Sequence, residues 1–387
     1  MIQFEQIFNS INNPLAISLL SLVFVAFVYQ LYFYFRYINK GSATSVSKSE
    51  ENPQELPAVS IIICARNEYT NLQEYLPILL SQDYPNYEVI IVDDCSEDET
   101  EFLLERLSRQ YPNLYHTFVP RGARVLSSKK LALTIGIKAA HYEHILLTDA
   151  DCRPESKYWI REMMQGFANQ NTEIVLGFSP YFEKKGLLNH FISYDTLFTG
   201  LQYLGMARAG HPYMGVGRNL AYKRSTFFKV GGFKGLLNNI AGDDDLFVNR
   251  IASSKNTVVV CNKDSLIWSV PKTTWHEWLH QKRRHLSVSP NYRFGSRFRL
   301  TIEPLSRAML YAGLICSIIW GGLTTAVITG ALFLIRYITQ LAIINIAAHR
   351  LGMRKVGIGL LIYDIVLPLI TLYMLATKRI TQKHLYW

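Results

Sequence analysis

The sequence is short of charge and short of cysteine. Asp, Glu, Lys and Arg supply only 18% of the 387 residues against 49% apolar, a balance that points to a soluble part joined to membrane segments. The five cysteines, Cys64, Cys95, Cys152, Cys261 and Cys316, form no CxxC pair and no metal-ligand spacing. That excludes a structural zinc and leaves free thiols in a reducing compartment. The net charge of +10 comes without a basic helix or an aromatic ribonucleoprotein pattern, so nucleic acid is not an expected partner. The excess is left to contact with anionic membrane lipids, or to attraction of a phosphate-bearing substrate. No internal repeat is present. The glycine-rich "YMGVGRNLAY" at 213–222 lacks a GxGxxG or P-loop context, so Gly215 and Gly217 read as a turn or as backbone passing close to a substrate.

Long uncharged runs are not lacking. Residues 14–35 contain no charge, follow no basic stretch and show no small-residue cleavage site, as expected of an uncleaved anchor. Glu5 is the only charge before this run, whereas Arg36, Lys40 and Lys48 follow it. The positive-inside rule then places the N-terminus outside the cell (inner) membrane and the following domain in the cytoplasm. A second apolar region, 308–348, is interrupted chiefly by Arg336 and is too long for one span of roughly 20 residues. Gly321, Gly322 and Gly330 are candidate turns within it. A third run, 356–376, carries Asp364. Three C-terminal spans put the "HRLGMRK" loop in the cytoplasm but the basic tail outside; two spans reverse the conflict, and three is preferred. The expected division is an anchor (1–40), a polar linker (41–57), a cytoplasmic α/β domain (58–272), an amphipathic interfacial segment (273–305), two or three spans (306–378) and a tail (379–387).

Within the α/β domain, "AVSIIICA", "YEVIIVDD" and "HILLTDAD" are apolar throughout and alternate with segments of helical spacing. Such strands imply a mostly parallel, doubly wound sheet covered on both faces. Ligands bind just beyond the carboxyl ends of such strands. There the sequence places Arg66, Asn67 and Glu68, then Asp93 and Asp94, then Asp149 and Asp151.

Asp149 and Asp151 stand at i and i+2 on an extended segment, where both can turn toward one cation. Oxygen ligands with vacant positions suit Mg²⁺ or Mn²⁺ shared with substrate phosphates; an isolated pair of this kind is otherwise a solvated turn. "AGDDDLF", 241–247, is a second acid cluster. Adjacent carboxylates raise one another's pKa, which suits a general base, and acids also favour a helix N-terminus. Lys129 and Lys130 begin a helix against its dipole, so either an anion lies nearby or they are solvated. In "TTWHEWLHQKRRHLSVS", 273–289, the pattern is that of a helix in the membrane interface. Gln281 and Arg284 share one of its faces and can meet a phosphate together.

Taken in order, these pieces resemble a family 2 glycosyltransferase with the GT-A fold, over about residues 57–290. "VSIIICARNE" resembles the first strand and NE turn, and "VIIVDDCSEDET" the VDDGSTDGT segment with Cys95 in place of Gly. Lys129, Ala132 and Leu133 match the GKAxAL helix, "LLTDAD" the DxD motif, "GDDDLFVNR" the EDxDL region, and Gln281 with Arg284 the QxxRW motif.

The resemblance implies that Ala65, Arg66, Glu68, Asp94 and Lys129 hold the nucleotide of a UDP-sugar donor. Asp149 would touch ribose and pyrophosphate, and Asp151, with Asp149, would hold the divalent metal. Asp243 would be the base of an inverting transfer, while Gln281 and Arg284 close over the diphosphate. Gly242 stands where Glu is usual, which leaves Asp244 as the alternative base, and His285 replaces the Trp of QxxRW. The acceptor is lipid-linked or a saccharide. Polymer-extruding members build a channel from more spans, so a lipid acceptor is favoured over processive polysaccharide synthesis. The other readings are a noncatalytic membrane scaffold with a degenerate sugar-nucleotide fold, against which Asp149, Asp151, Asp243 and Arg284 together argue, and a nucleotidyltransferase, which would leave Gln281 and Arg284 unexplained.

Overall fold

The computed structural model describes residues 14–43, 56–120, 128–237 and 241–377. Glu5, Lys48, most of the expected linker, the segment just before Ser128 and nearly all of the basic tail lie outside the described residues.

The first element, α1 (Pro14–Phe33), runs on through a π-helical stretch, Tyr34–Ile38, to Gly41. Gly41 therefore belongs to the anchor helix rather than to a linker. It is buried against the backbone of Leu201, where a Cβ would come within 2.4 Å of the carbonyl oxygen.

The α/β domain alternates as the apolar runs predict: β1 (Val59–Ala65), α2 (Tyr69–Leu80), β2 (Tyr87–Asp93), α3 (Thr100–Ser108), β3 (Leu114–Phe118), α4 (Ser128–Ala139) and β4 (His144–Asp149). Then come β5 (Cys152–Pro154), α5 (Trp159–Gln165), β6 (Ile174–Leu176), α6 (Leu187–Arg208), β7 (Leu220–Lys223), α7 (Arg224–Lys229), α8 (Asp245–Ile251), β8 (Thr257–Val259), β9 (Ile267–Ser269) and α9 (Trp275–Leu286). The main sheet has the order β3-β2-β1-β4-β7-β6-β8, and β7 alone runs against the others. Residues 59–65 are buried without exception, as a strand covered on both faces requires. Chain order reverses between β1 and β4, so a crevice opens at their carboxyl ends. Register sets Cys64 opposite Asp149 and Ala65 opposite Asp93 at that crevice.

The stretch "HILLTDADCRPE" is two strands: β4 ends at Asp149, and Cys152–Pro154 pair antiparallel with β9 in a small second sheet. Pro154 is the last residue of that short strand, opposite Ile267.

Among the described residues, three helices are long and apolar enough to cross a membrane: α1 with its continuation to Gly41, α10 (Phe294–Trp320) and α11 (Gly322–Arg350). A shorter apolar helix, α12 (Leu360–Ala376), follows. Helix α10 runs unbroken across residue 305, where the sequence placed the end of an interfacial segment. Gly322, at φ +73°, makes the expected turn, whereas Gly330 lies inside α11. The protein is a membrane protein.

Charge inside these helices is paired. Arg336, wholly buried, donates to Gln30 Oε1 from Nη2 at 2.9 Å, to Gln340 Oε1 at 2.7 Å, and forms an ion pair with Asp364. Arg307 joins Asp364 at 3.0 Å and Glu303 at 2.6 Å. Two cations and two anions from three helices thus neutralise one another, with Gln30 of α1 added. An unpaired charge there would cost several kcal/mol, roughly 3 at the centre of a spanning helix. The first helix also locks onto the α/β domain: a Cβ on Gly205 of α6 would sit 1.8 Å from the Tyr37 carbonyl oxygen, and Arg208 Nη1 donates to the Lys40 carbonyl at 2.6 Å.

Candidate active site

The crevice beyond β1 and β4 gathers residues from distant segments. Lys129, in the first turn of α4, reaches Asp149 Oδ1 at 3.0 Å and Asp243 Oδ2 at 3.7 Å. The lysine that opposed its helix dipole therefore faces two anions. Burial would lower its pKa, but Asp149, Asp243 and Asp244 outweigh burial and raise it. Burial would likewise raise Asp149, yet Lys129, then Arg218 and Arg284, hold its carboxyl below the ordinary range. Asp151 is pushed the other way, by burial and by the Asp149 charge. Its oxygens accept from Cys152 Sγ at 3.3 Å and Ser269 Oγ at 3.1 Å.

No cluster of three or more His, Cys, Asp or Glu able to hold a metal occurs among the described residues. Asp149 and Asp151 at one strand end are too few for a protein-only cage. They fit a divalent cation whose remaining positions are filled by substrate phosphates and water. The raised pKa of Asp151 fits too, because a cation would relieve two crowded carboxylates.

The acid cluster divides by role. Asp244 caps α8 and both its oxygens are occupied: Oδ2 accepts from Gly217 N at 2.8 Å and Oδ1 from Asp245 N at 2.7 Å. Asp245 is turned away, accepting from Tyr292 Oη at 2.8 Å. Asp243 is the acid directed at Lys129. Gly242 has φ +93°, and a Cβ would meet Leu246 Cδ1 at 2.5 Å, which explains a Gly at a position where the resemblance expects Glu.

Of the proposed nucleotide residues, Ala65 ends β1 and Arg66 begins the turn. Asn67 ties that turn to the next strand end: its N–H donates to Ser96 Oγ at 2.9 Å and its Oδ1 accepts from Glu97 N at 2.7 Å. Cys95 occupies the left-handed region, φ +56°, the conformation for which Gly is usual. Asp94 is fully buried, its N–H on the Ala65 carbonyl at 2.8 Å. Glu68 accepts from Asn71 Nδ2 at 2.6 Å, and burial raises its pKa.

Helix α9 starts with a capping box, Thr274 with Glu277, and buries Trp278. It turns Gln281 to Tyr181, Nε2 donating to Oη at 3.0 Å, and Arg284 close enough to lower the Asp149 pKa. His285 follows Arg284 on α9, and its pKa is lowered by burial and by the charges of Arg284, Arg218, Lys282 and Lys129.

One residue was missed. Arg218, in the stretch read only for its glycines, stacks on the Tyr181 ring 4.2 Å from its centroid, and its buried Nη1 has no hydrogen-bond partner among the described residues. Its charge acts on both Asp149 and Asp151. A basic residue between Gly217 and the next strand was the only signal available. Gly217 brings its N–H to Asp244, and Gly215 packs against Leu176, Leu220 and Val248; both roles are internal.

The family model described as Glycosyl transferase family 21 matches residues 18–383, spanning helices included. The probable glycosyltransferase YdaM of Bacillus subtilis (strain 168) is 26% identical over 285 residues, 70% of this chain and 65% of the relative. A beta-monoglucosyldiacylglycerol synthase of Trichormus variabilis is 34% identical over 109 residues, 28% of this chain and 23% of the relative. The chain thus spans less than two thirds of the length of either relative. Among solved structures, the mannosyltransferase PcManGT from Pyrobaculum calidifontis, in complex with GDP-Man and Mn²⁺, aligns with a TM-score of 0.56 at 22% identity. It covers 87% of this chain and 97% of that one, a likeness of fold that agrees with the GT-A expectation. The sequence resemblance to family 2 and the mostly parallel sheet meet in one conclusion: the chain is a glycosyltransferase and belongs to glycosyl transferase family 21.

Proposed function

We propose that the protein transfers a sugar, with inversion, from a UDP-sugar to a lipid-linked acceptor at the membrane surface. The observation that carries this reading is the ion-pair cluster of Lys129, Asp149 and Asp243, drawn from three segments onto the ligand edge of the sheet. Charges so arranged suit a donor diphosphate beside a base.

In this reading Ala65, Arg66, Glu68 and Asp94 line the nucleotide end, and Lys129 and Asp149 hold ribose and pyrophosphate. Asp243 accepts the proton of the acceptor hydroxyl as its oxygen attacks the anomeric carbon. The bond from that carbon to the phosphate oxygen breaks, and the nucleoside diphosphate leaves with the electron pair. Arg284, with Gln281 and Arg218, meets the negative charge that grows on it, which favours the transition state over the ground state. A divalent cation, Mg²⁺ or Mn²⁺, when held by Asp149 and Asp151, would add Lewis-acid stabilisation of the same charge. Asp243 is preferred to Asp244 because the Asp244 oxygens are both engaged by backbone N–H groups.

The domain division follows: α1 as anchor, 58–272 as a cytoplasmic catalytic domain, α9 in the interface and α10–α12 as membrane helices. Incubating membranes with labelled UDP-sugars, and with GDP-mannose, tests the whole reading. Label should enter the lipid-soluble fraction from a UDP-sugar, only with Mg²⁺ or Mn²⁺. Polymeric product would replace the lipid acceptor with a polysaccharide, and use of GDP-mannose alone would replace the nucleotide.

A further inference from the structure

Where α11 ends and α12 begins, a cavity of about 610 Å³ lies among residues that the catalytic site does not use. One side is apolar, with Leu341, Ile346 and Ile358; the other presents His349, Arg350 and Lys355. No carboxylate lines it, and no acidic residue occurs in the sequence between Glu303 and Asp364. Arg350 and Lys355 therefore line a cavity to which the described residues contribute no carboxylate.

The walls are built rather than loose. Asn345 of α11 holds Val356 in both directions, Nδ2 donating to its carbonyl at 2.9 Å and Oδ1 accepting from its N–H at 2.7 Å. Tyr337 Oη donates to the Ile358 carbonyl at 2.9 Å. The neighbouring Arg354 is neutralised by Glu183 at 3.5 Å, which seats this loop on the catalytic domain. The cavity therefore lies at the end of α11 that adjoins that domain. A cation in the last turn of α11 also suits its macrodipole, but that accounts for Arg350 and not for Lys355 across the loop. Ile346 and Ile358, 47% and 85% exposed, carry the apolar side outward.

We propose that this cavity binds the phosphate headgroup of an anionic phospholipid, with an acyl chain laid along Ile346 and Ile358. The apolar side decides the source of the phosphate: a free ion has no use for it, whereas a lipid fills both halves. The inference is independent of the donor and acceptor proposed above.

The full-length protein in detergent, supplied with phosphatidylglycerol or phosphatidylcholine, can be followed by native mass spectrometry for retained lipid. Phosphatidylglycerol should be retained in preference. R350A/K355A should weaken that retention roughly 30-fold, at about fivefold per cation near an anionic headgroup. R297A/R299A, which removes two cations at the start of α10, should leave it unchanged. If R350A/K355A does not fold, Ile346→Trp, which fills the apolar side and keeps every charge, should give the same loss. Equal retention of both lipids, equal loss in the two double variants, or release of phosphatidylglycerol by inorganic phosphate would each overturn the assignment.

Discussion

Lys129 Nζ lies 3.0 Å from Asp149 Oδ1, so an ammonium at a helix start neutralises the first acid of the DxD motif. The pair sets the charge state of the site. Lys129 is the largest influence holding the Asp149 pKa down, and it does so against burial. Lys129→Met should therefore let that pKa rise, and the acid limb of the kcat/KM profile should move to higher pH. An unmoved limb would mean that Asp149 ionisation does not limit activity.

Asp243→Asn and Asp244→Asn should differ in kind. Losing a general base should lower kcat by at least about 10²-fold while nucleotide binding stays near wild type. Asp244→Asn removes an acceptor from the Gly217 and Asp245 N–H groups, at a cost of about 1–3 kcal/mol, so its signature is a lowered Tm. Reversal of the two patterns, read by turnover and thermal unfolding, would move the base to Asp244.

Arg284→Ala and Arg218→Ala should each lower kcat by roughly 10²–10³-fold, as for removal of one group that stabilises transition-state charge. Tyr181→Phe should have a smaller effect, because the ring beneath Arg218 remains. Unchanged turnover in Arg284→Ala would leave α9 as a membrane seat only.

Asp151 gives a pH test with a definite sign. Burial and Asp149 raise its pKa in the folded protein. Its contribution to stability is then present at low pH and is lost as pH rises through the folded value. On the proposed metal role of Asp149 and Asp151, a divalent cation held there would offset that loss, so Mn²⁺ should raise Tm more at neutral pH than at acid pH. Asp151→Asn should abolish the difference.

In the membrane helices, Arg336→Leu should destabilise by about 3–5 kcal/mol, because Arg307 alone would then face both Glu303 and Asp364 and one buried negative charge would be uncompensated. Asp364 would then lack its Arg336 bonds. The double variant R336M/D364L removes one charge of each sign and should recover much of the loss in detergent melts.

The strands and their ligand edge were legible because a parallel strand buried on both faces must be apolar throughout, as in "SIIIC" and "VIIV". Acids at the ends of such strands stand out against that background. The spans were legible for the same reason. Arg218 was not, since a lone arginine in a glycine-rich stretch carries no period. Nor were the partners of Arg336, because a buried charge read along the chain shows only its cost.

What the sequence determined by itself was local: apolar period, strand ends rich in acid, and helices long enough to cross a bilayer. Folding alone decided which charges meet. Lys129 reaches Asp149 and Asp243 because crossovers bring α4 and the 241–245 loop to one sheet edge. Asp244 is set apart from Asp243 because the Gly217 N–H arrives at one acid and not the other. Coulomb energy and hydrogen bonding depend on distances of a few ångströms, and those distances belong to the packed chain rather than to the order of its residues.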